Sequence, residues 1–114
     1  MSKRIRAGVV VRRLVDYRHA GGQGQGMLMD FSQQGCRITG TPPFPCGTRL
    51  RLQLWLPDRS DPVKIEQAVV RWVANDQFGV SFLDVPRDAR ARLELVFRLL
   101  HEAQQQEGPG VYPL

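Results

Sequence analysis

The sequence has few of the residues that metal sites, disulfides and membrane spans require. Its 114 residues include two cysteines and two histidines. Cys36 and Cys46 are ten residues apart and lack the C-x-x-C pairs or nearby histidines that zinc needs, which favours a buried Cys36 and a loop Cys46 as free thiols. No apolar run is long enough to cross a bilayer, and no apolar N-terminal stretch precedes a cleavage site. We therefore expect a cytoplasmic domain with no cofactor and no membrane insertion.

Groups for catalysis are also scarce. His19 and His101 fall in a predicted loop and a predicted helix, each without an evident acidic or metal partner, so both are interpreted as surface histidines. The glycines at 22, 24 and 26 lack a following Gly-Lys-Ser/Thr and lead into a strand, which argues against a phosphate-binding loop and predicts a flexible hairpin connection at 20–26. The sequence predicts a binding protein and not an enzyme.

The net charge is concentrated at the N-terminus. Six basic residues against one acidic residue give the first 18 positions a charge of +5, whereas the other ten basic and ten acidic residues cancel. A nucleic-acid-binding protein usually carries Lys and Arg along a whole face. This distribution instead favours a local anion site or a flexible basic arm over residues 1–8, although a nucleic-acid binder that uses the basic strand stays as an alternative.

Short apolar or β-branched segments predict strands at 9–15, 27–29, 36–39, 50–56, 63–73 and 78–82, and residues 50–56 show the period two of a half-buried strand. Strands at this spacing imply an antiparallel barrel or sandwich. The period then changes, because Ala89, Leu93, Val96, Phe97 and Leu100 form the apolar stripe of an amphipathic helix that caps one end of the barrel. We expect one domain over 1–102 and a disordered tail over 103–114, which has little to bury.

One short block suggests a ligand site. Residues 30–35 read Asp-Phe-Ser-Gln-Gln-Gly, a D-x-S-x-x-G pattern at a turn between two strands. A carboxylate at Asp30 accepts from paired N–H donors such as a guanine edge, the Ser32 hydroxyl donates to phosphate, and Gly35 lets a ligand approach the backbone. The block is interpreted as part of a receptor for an anionic nucleotide. As an alternative, Asp30 and Ser32 only cap the turn.

With the basic N-terminus, the later Val-Arg-Trp at 70–72 and the Phe-Gly-Val-Ser-Phe at 78–82, this block resembles the PilZ domain family over residues 3–101. The resemblance implies a six-stranded antiparallel barrel of split-barrel type with a C-terminal helix. It also implies binding of the bacterial second messenger cyclic di-GMP, with Asp30 on a guanine edge, Ser32 on a phosphate and Gly35 keeping the surface open for the purine.

The chain departs from the R-x-x-x-R motif of that family. No two arginines in the first 30 residues are four apart, and Lys3, Arg4 and Arg6 stand where the motif should lie. The resemblance implies that Arg4 and Arg6, with Lys3 as a second-tier candidate, fold over the ligand phosphates and guanine. Arg37 and Trp72 are further second-tier candidates for phosphate and stacking contacts, although the pattern favours a core position for Trp72.

The function expected from these features is a switch without chemistry. Cyclic di-GMP orders the basic arm, and the rearranged surface is recognised by an unidentified partner protein. The degenerate arginine motif also fits a ligand-independent adaptor of the same fold, which would tolerate changes at Asp30 and Arg6.

Overall fold

The protein folds into six strands followed by one helix, as the sequence predicted. The computed structural model describes residues 8–40 and 44–106. The elements are β1 (Val9–His19), β2 (Gly22–Phe31), β3 (Gly35–Thr39), β4 (Arg49–Leu54), β5 (Val63–Ala74), β6 (Gln77–Asp84) and α1 (Arg87–Gln106). None of the helical segments in this described part of the chain has the length and apolar character needed to cross a membrane.

The strands form a closed antiparallel barrel in the order β1-β2-β3-β6-β5-β4, and β1 closes it by pairing with both β2 and β4. Between the β-bulges, alternate residues of the strands point inward, as period two requires, and form one core. Leu93 and Val96 of α1 are buried against this core, and Phe97 meets the Phe31 ring edge-on at 6.3 Å. The predicted position of the helix at one end of the barrel is confirmed.

The prediction of a flexible loop at residues 20–26 is wrong, because β2 begins at Gly22 and the turn is short. Gly24 and Gly26 stack against the inward ring of Tyr17. A Cβ at Gly24 would lie 2.9 Å from Tyr17 Cε1, and one at Gly26 would lie 2.5 Å from the carbonyl oxygen of Thr39. These glycines therefore make room for an aromatic core residue, and they do not mark an irregular segment.

A β-bulge interrupts the pairing of β1 with β2 between Val10 and Arg13. Arg12 has a positive φ of 55° there, and both Arg12 and Arg13 are exposed. The extra residue of the bulge interrupts the alternation of the strand, so two consecutive arginine side chains are exposed.

The helix is longer than the sequence indicated. It continues to Gln106, whereas the composition predicted a frayed chain from 103 onward. A side-chain amide explains part of the difference: Gln104 Oε1 accepts from the Val10 amide at 3.2 Å, and Gln104 Nε2 donates to the Val10 carbonyl at 3.0 Å. The helix end is therefore tied to the start of β1. The remainder of the predicted tail, 107–114, lies outside the described residues.

A nearly buried ion pair attaches α1 to the loop between β4 and β5. Arg92, whose side chain is 7% exposed, donates to both carboxylate oxygens of Asp58, with Nε at 3.0 Å from Oδ2 and Nη2 at 2.9 Å from Oδ1. Burial alone would raise the pKa of Asp58, but the hydrogen bonds and charge of Arg92 outweigh it and hold that pKa below its ordinary value.

This pair predicts a pH-dependent contribution to stability. A carboxyl group with a lowered folded-state pKa stabilises the fold above its unfolded pKa of about 3.9 and loses that contribution as the pH falls through the folded pKa. We expect Asp58→Asn to lower the free energy of unfolding by about 2 kcal/mol at pH 7 and by clearly less at about pH 3. Urea denaturation at both pH values measures this.

Asp61→Asn is the matched control, because Asp61 is 65% exposed and approaches Arg92 only to 3.8 Å. It should change stability by less than about 0.5 kcal/mol. Equal destabilisation of Asp58→Asn at both pH values would show that the ionised pair is not the cause.

Candidate functional site

The D-x-S-x-x-G block forms the connection between β2 and β3. The Ser32 amide donates to the Gly35 carbonyl at 2.8 Å, and the Gln34 amide donates to Ser32 Oγ at 3.2 Å. Ser32 is buried, so its oxygen stabilises the turn, as the capping interpretation predicted. The hydroxyl proton remains as a donor, and its proposed contact with phosphate stays a prediction.

Asp30 is held by an arginine from the neighbouring strand. Asp30 lies directly opposite Arg37 in the β2–β3 register, and Arg37 donates to Asp30 Oδ2 through Nε at 3.0 Å and Nη2 at 2.7 Å. Both hydrogen bonds reach Asp30 Oδ2. Asp30 Oδ1 accepts no hydrogen bond from any residue that the structure describes. Arg37 Nη1 also donates to Gln77 Oε1 at 3.3 Å. The arrangement fixes a carboxylate with one oxygen available on the outer face of the barrel.

Gly35 has a steric role that sequence reasoning missed. A Cβ at this position would overlap the carbonyl oxygen of Val80 in β6. Gly35 lies directly opposite Ser81 in that strand pair, so the close approach of β3 to β6 requires glycine. Gly35 is itself buried, so this close packing accounts for the glycine, and the implied role of keeping the surface open for a purine stays a prediction.

Trp72 is on the outer face and not in the core, so the sequence-based preference for a core position is wrong. The side chain is 38% exposed and its indole lies across Gly79, where any Cβ would overlap it. A two-residue turn at 75–76 sets Ala74 opposite Gln77, and the same register sets Trp72 opposite Gly79. The turn could have revealed this pairing, because Asn-Asp between two apolar segments predicts a tight hairpin.

The register places four of these residues in one row across the outer face, which we call the Asp30 row. Asp30 is opposite Arg37, Arg37 is opposite Gly79, and Gly79 is opposite Trp72. The row therefore combines a carboxylate, a guanidinium and an exposed indole that covers Gly79 on neighbouring strands. Such a surface can accept N–H donors at one end and stack a flat ring at the other.

Arg71 adds a further cation beside this row. Its Nε donates to Ser81 Oγ at 3.2 Å, and Ser81 is the residue opposite Gly35. A bulge between Val70 and Trp72 in the pairing with β6 allows Arg71 and Trp72 both to be exposed. No local sequence pattern predicts this bulge, so Arg71 was not among the predicted site residues.

Cys36 lies beneath the site, and its thiol is not activated as a nucleophile. Its thiol is buried, and burial, with a smaller effect from the negative charge of Asp30, raises the pKa of Cys36 well above its ordinary value. Cys46 is exposed, and both cysteines are free, as predicted. No group of three or more His, Cys, Asp or Glu among the described residues could hold a metal ion.

The predicted arginines of the arm, Arg4 and Arg6, and the second-tier Lys3 lie outside the described residues. The point at which the arm joins the barrel is described. Gly8 packs so closely on β2 that a Cβ there would lie 2.7 Å from the Phe31 carbonyl oxygen, and Val10 is opposite Asp30. The arm therefore starts next to the Asp30 row.

A comparison of the sequence with protein families agrees with the fold and with the position of the D-x-S-x-x-G block. The model of the PilZ domain matches residues 2–98, and this chain therefore belongs to the PilZ domain family. PilZ domains are binding and adaptor domains whose family ligand is cyclic di-GMP. No curated protein matches the chain significantly.

Solved structures show the same fold. The inhibitor of motility MotI/DgrA of Bacillus subtilis superposes with a TM-score of 0.67 at 19% identity, over 92% of this chain and 53% of that one. MrkH of K. pneumonia in its apo state gives 0.69 at 17%, over 94% and 55%. The PilZ domain of CeSA from a cellulose-synthesizing bacterium gives 0.58 at 18%, over 90% and 99%. The chain spans about half the length of the first two proteins, and identities this low show the fold alone.

Proposed function

We propose that this chain binds cyclic di-GMP on the Asp30 row in the cytoplasm of a bacterium and passes the signal to a partner protein. The observation that supports this most is the row itself, in which Asp30 and Trp72 stand on the same outer face with only Arg37 and Gly79 between them. Membership of a family whose ligand is cyclic di-GMP supports this choice of ligand.

Each residue of the row has a defined task in this proposal. Asp30 accepts from a guanine N–H edge through its available Oδ1, while Arg37 holds the carboxylate in place. The Trp72 indole, which lies across Gly79, offers a flat surface on which the purine stacks. Ser32 donates its hydroxyl proton to a phosphate.

The basic arm closes the site. Arg4 and Arg6 form bidentate hydrogen bonds with the phosphates, and Lys3 contributes a further positive charge. Ordering a backbone residue costs about 1–2 kcal/mol, whereas a hydrogen bond to a charged group contributes about 1.5–3 kcal/mol. Several such bonds are needed to offset the ordering of the arm, so the loss of one arginine has a large effect on affinity.

The output of the switch is a changed surface and not a reaction. Binding fixes the arm over the outer face beside Asp30, and the partner protein recognises the arm together with the ligand. The partner is supplied in trans or by another part of a longer protein, since the chain spans about half of two matching structures.

A ligand-independent adaptor is the second candidate, and one observation favours it. Arg37 already pairs with Asp30 through two hydrogen bonds, which gives the carboxylate a structural role without any ligand. The chain also lacks the R-x-x-x-R spacing. An adaptor would bind its partner equally well with and without cyclic di-GMP.

Calorimetric titration with cyclic di-GMP distinguishes the two candidates. We expect a dissociation constant of about 10 µM or tighter, no binding of GTP, and at least about tenfold weaker binding for Arg6→Ala. Arg13→Ala is the matched control, because it removes an equal charge from an exposed strand position. No heat with cyclic di-GMP, together with undiminished capture of the partner, would establish the adaptor instead.

A further inference from the structure

A second concave surface lies on the far part of the barrel, away from the Asp30 row. It is a groove of about 480 Å³ across the outer faces of β1, β2, β4 and β5. Its lining is almost entirely polar and contains three basic and two acidic side chains: Arg18, Arg51, Lys64, Asp16 and Glu66. We call it the Arg18 groove. Gln25 precedes Asp30 by five residues of β2, which is about 17 Å along a strand.

Two arginines face each other across this groove. Arg18 of β1 is directly opposite Arg51 of β4, and like charges at such positions destabilise a sheet. Lys64 adds a third cation, since it is opposite Gln53, which is itself opposite Asp16. The fold therefore holds three cations around one depression.

These cations are poorly neutralised by the protein. Neither Arg18 nor Lys64 has an ion-pair or hydrogen-bond partner in the part of the chain that the structure describes. Arg51 approaches Glu66 only to 3.8 Å, with both side chains largely exposed, and such a contact contributes little. An oxyanion between the two guanidinium groups would relieve the repulsion and gain charge-assisted hydrogen bonds.

The groove also contains an acceptor without a donor. Asp16 Oδ1 is buried and accepts no hydrogen bond from residues 8–40 and 44–106. A buried acceptor that lacks a partner is unfavourable, so a donor that reached it after a rotation of the side chain would be stabilised. Gln25 and Gln53 lie directly opposite Asp16 on the two neighbouring strands, and their side-chain amides add donors and acceptors to the groove.

The lining argues against a nucleobase as the ligand. Tyr17 is its single aromatic residue and is 1% exposed, so the groove offers no ring for stacking. Carboxylate, amide and guanidinium groups can instead form hydrogen bonds with a ligand that carries several hydroxyl groups. We propose that the Arg18 groove binds a small anionic polyol, with its phosphate or carboxylate between Arg18 and Arg51 and its hydroxyl groups on Asp16 and Gln53.

Amide NMR of the full chain tests this with glucose 1-phosphate, glucuronate and uncharged glucose as probes. We expect one or both anions to shift the amides of Arg18, Arg51 and Gln53 with a dissociation constant of about 1 mM or tighter. Comparison of the two identifies whether phosphate or carboxylate is the anion, and glucose alone should bind at least about tenfold more weakly.

Arg51→Gln should weaken binding of the preferred anion at least about tenfold. Arg49→Gln is the matched control, because Arg49 is on the same strand and outside the groove, where it donates to Gln67 at 3.0 Å. It should leave the binding unchanged. Asp30→Ala should also leave it unchanged, which separates this site from the cyclic di-GMP site.

Absence of shifts with both anions, or equal weakening by Arg51→Gln and Arg49→Gln, would overturn the proposal. Equal affinity for inorganic phosphate and glucose 1-phosphate would overturn the role of the hydroxyl groups. Shifts in the groove caused by an acidic partner protein but by neither probe would replace the small ligand with a protein interface.

Discussion

Replacement of Asp30 by alanine is expected to lower the affinity for cyclic di-GMP by at least about 100-fold. The change removes the acceptor for the guanine edge and also releases Arg37, which donates two hydrogen bonds to Asp30 Oδ2. The variant loses the acceptor for the guanine and also the fixed position of Arg37, so the loss of affinity exceeds that of a single hydrogen bond. Calorimetric titration of the purified variant measures it.

The fold should tolerate this change. Arg37 is 39% exposed, so the loss of its partner should lower the free energy of unfolding by about 1 kcal/mol or less. Asp84→Ala is the control, because it removes an exposed carboxylate at the far end of β6. An Asp30→Ala variant that melts normally and binds cyclic di-GMP as tightly as the parent would contradict the assignment of Asp30.

The second large effect is expected for Gly35→Val, which should lower the stability of the fold. The added Cβ would overlap the Val80 carbonyl oxygen, which is a backbone atom and cannot move without opening the β3–β6 pair. We expect a loss of about 3 kcal/mol in the free energy of unfolding, at the upper end of overpacking effects. Urea denaturation followed by tryptophan fluorescence measures this loss.

Gly21→Ala is the comparison for this variant. Its added Cβ would meet only the imidazole of His19, at 2.9 Å from Cε1, and a side chain at a turn can move aside. It should cost less than about 1 kcal/mol. If Gly35→Val were as stable as Gly21→Ala, the close contact with β6 would not explain the glycine of the D-x-S-x-x-G block.

The strands and the helix could be predicted from the sequence wherever the spacing of apolar residues matches the residues that are buried in the structure. Leu50, Leu52 and Leu54 alternate with polar residues and are buried in β4, and the stripe that includes Leu93 and Val96 packs as predicted. The hairpin at 20–26 was misread because glycine usually marks irregular chain. Here Gly24 and Gly26 accommodate the ring of Tyr17, a tertiary contact that no local pattern encodes.

The sequence predicted some residues of the candidate site but not their arrangement. The D-x-S-x-x-G pattern identified Asp30 and Ser32, yet the bond from Arg37 to Asp30 depends on a bulge that shifts the register of β2 between Leu28 and Asp30. Trp72 was assigned to the core because large aromatic residues are usually well buried. Its exposure follows from Gly79, whose missing side chain leaves a place for the indole on the outer surface.

The most direct test of the account is amide and indole NMR of the full chain during titration with cyclic di-GMP. We predict saturable shifts at residues 30–37, at Gly79 and the Trp72 indole, and in the arm at residues 3–7, with none at Arg18 or Gln53 of the Arg18 groove. Absence of shifts at saturating ligand, or shifts that avoid Asp30 and Trp72, would contradict the proposed binding surface.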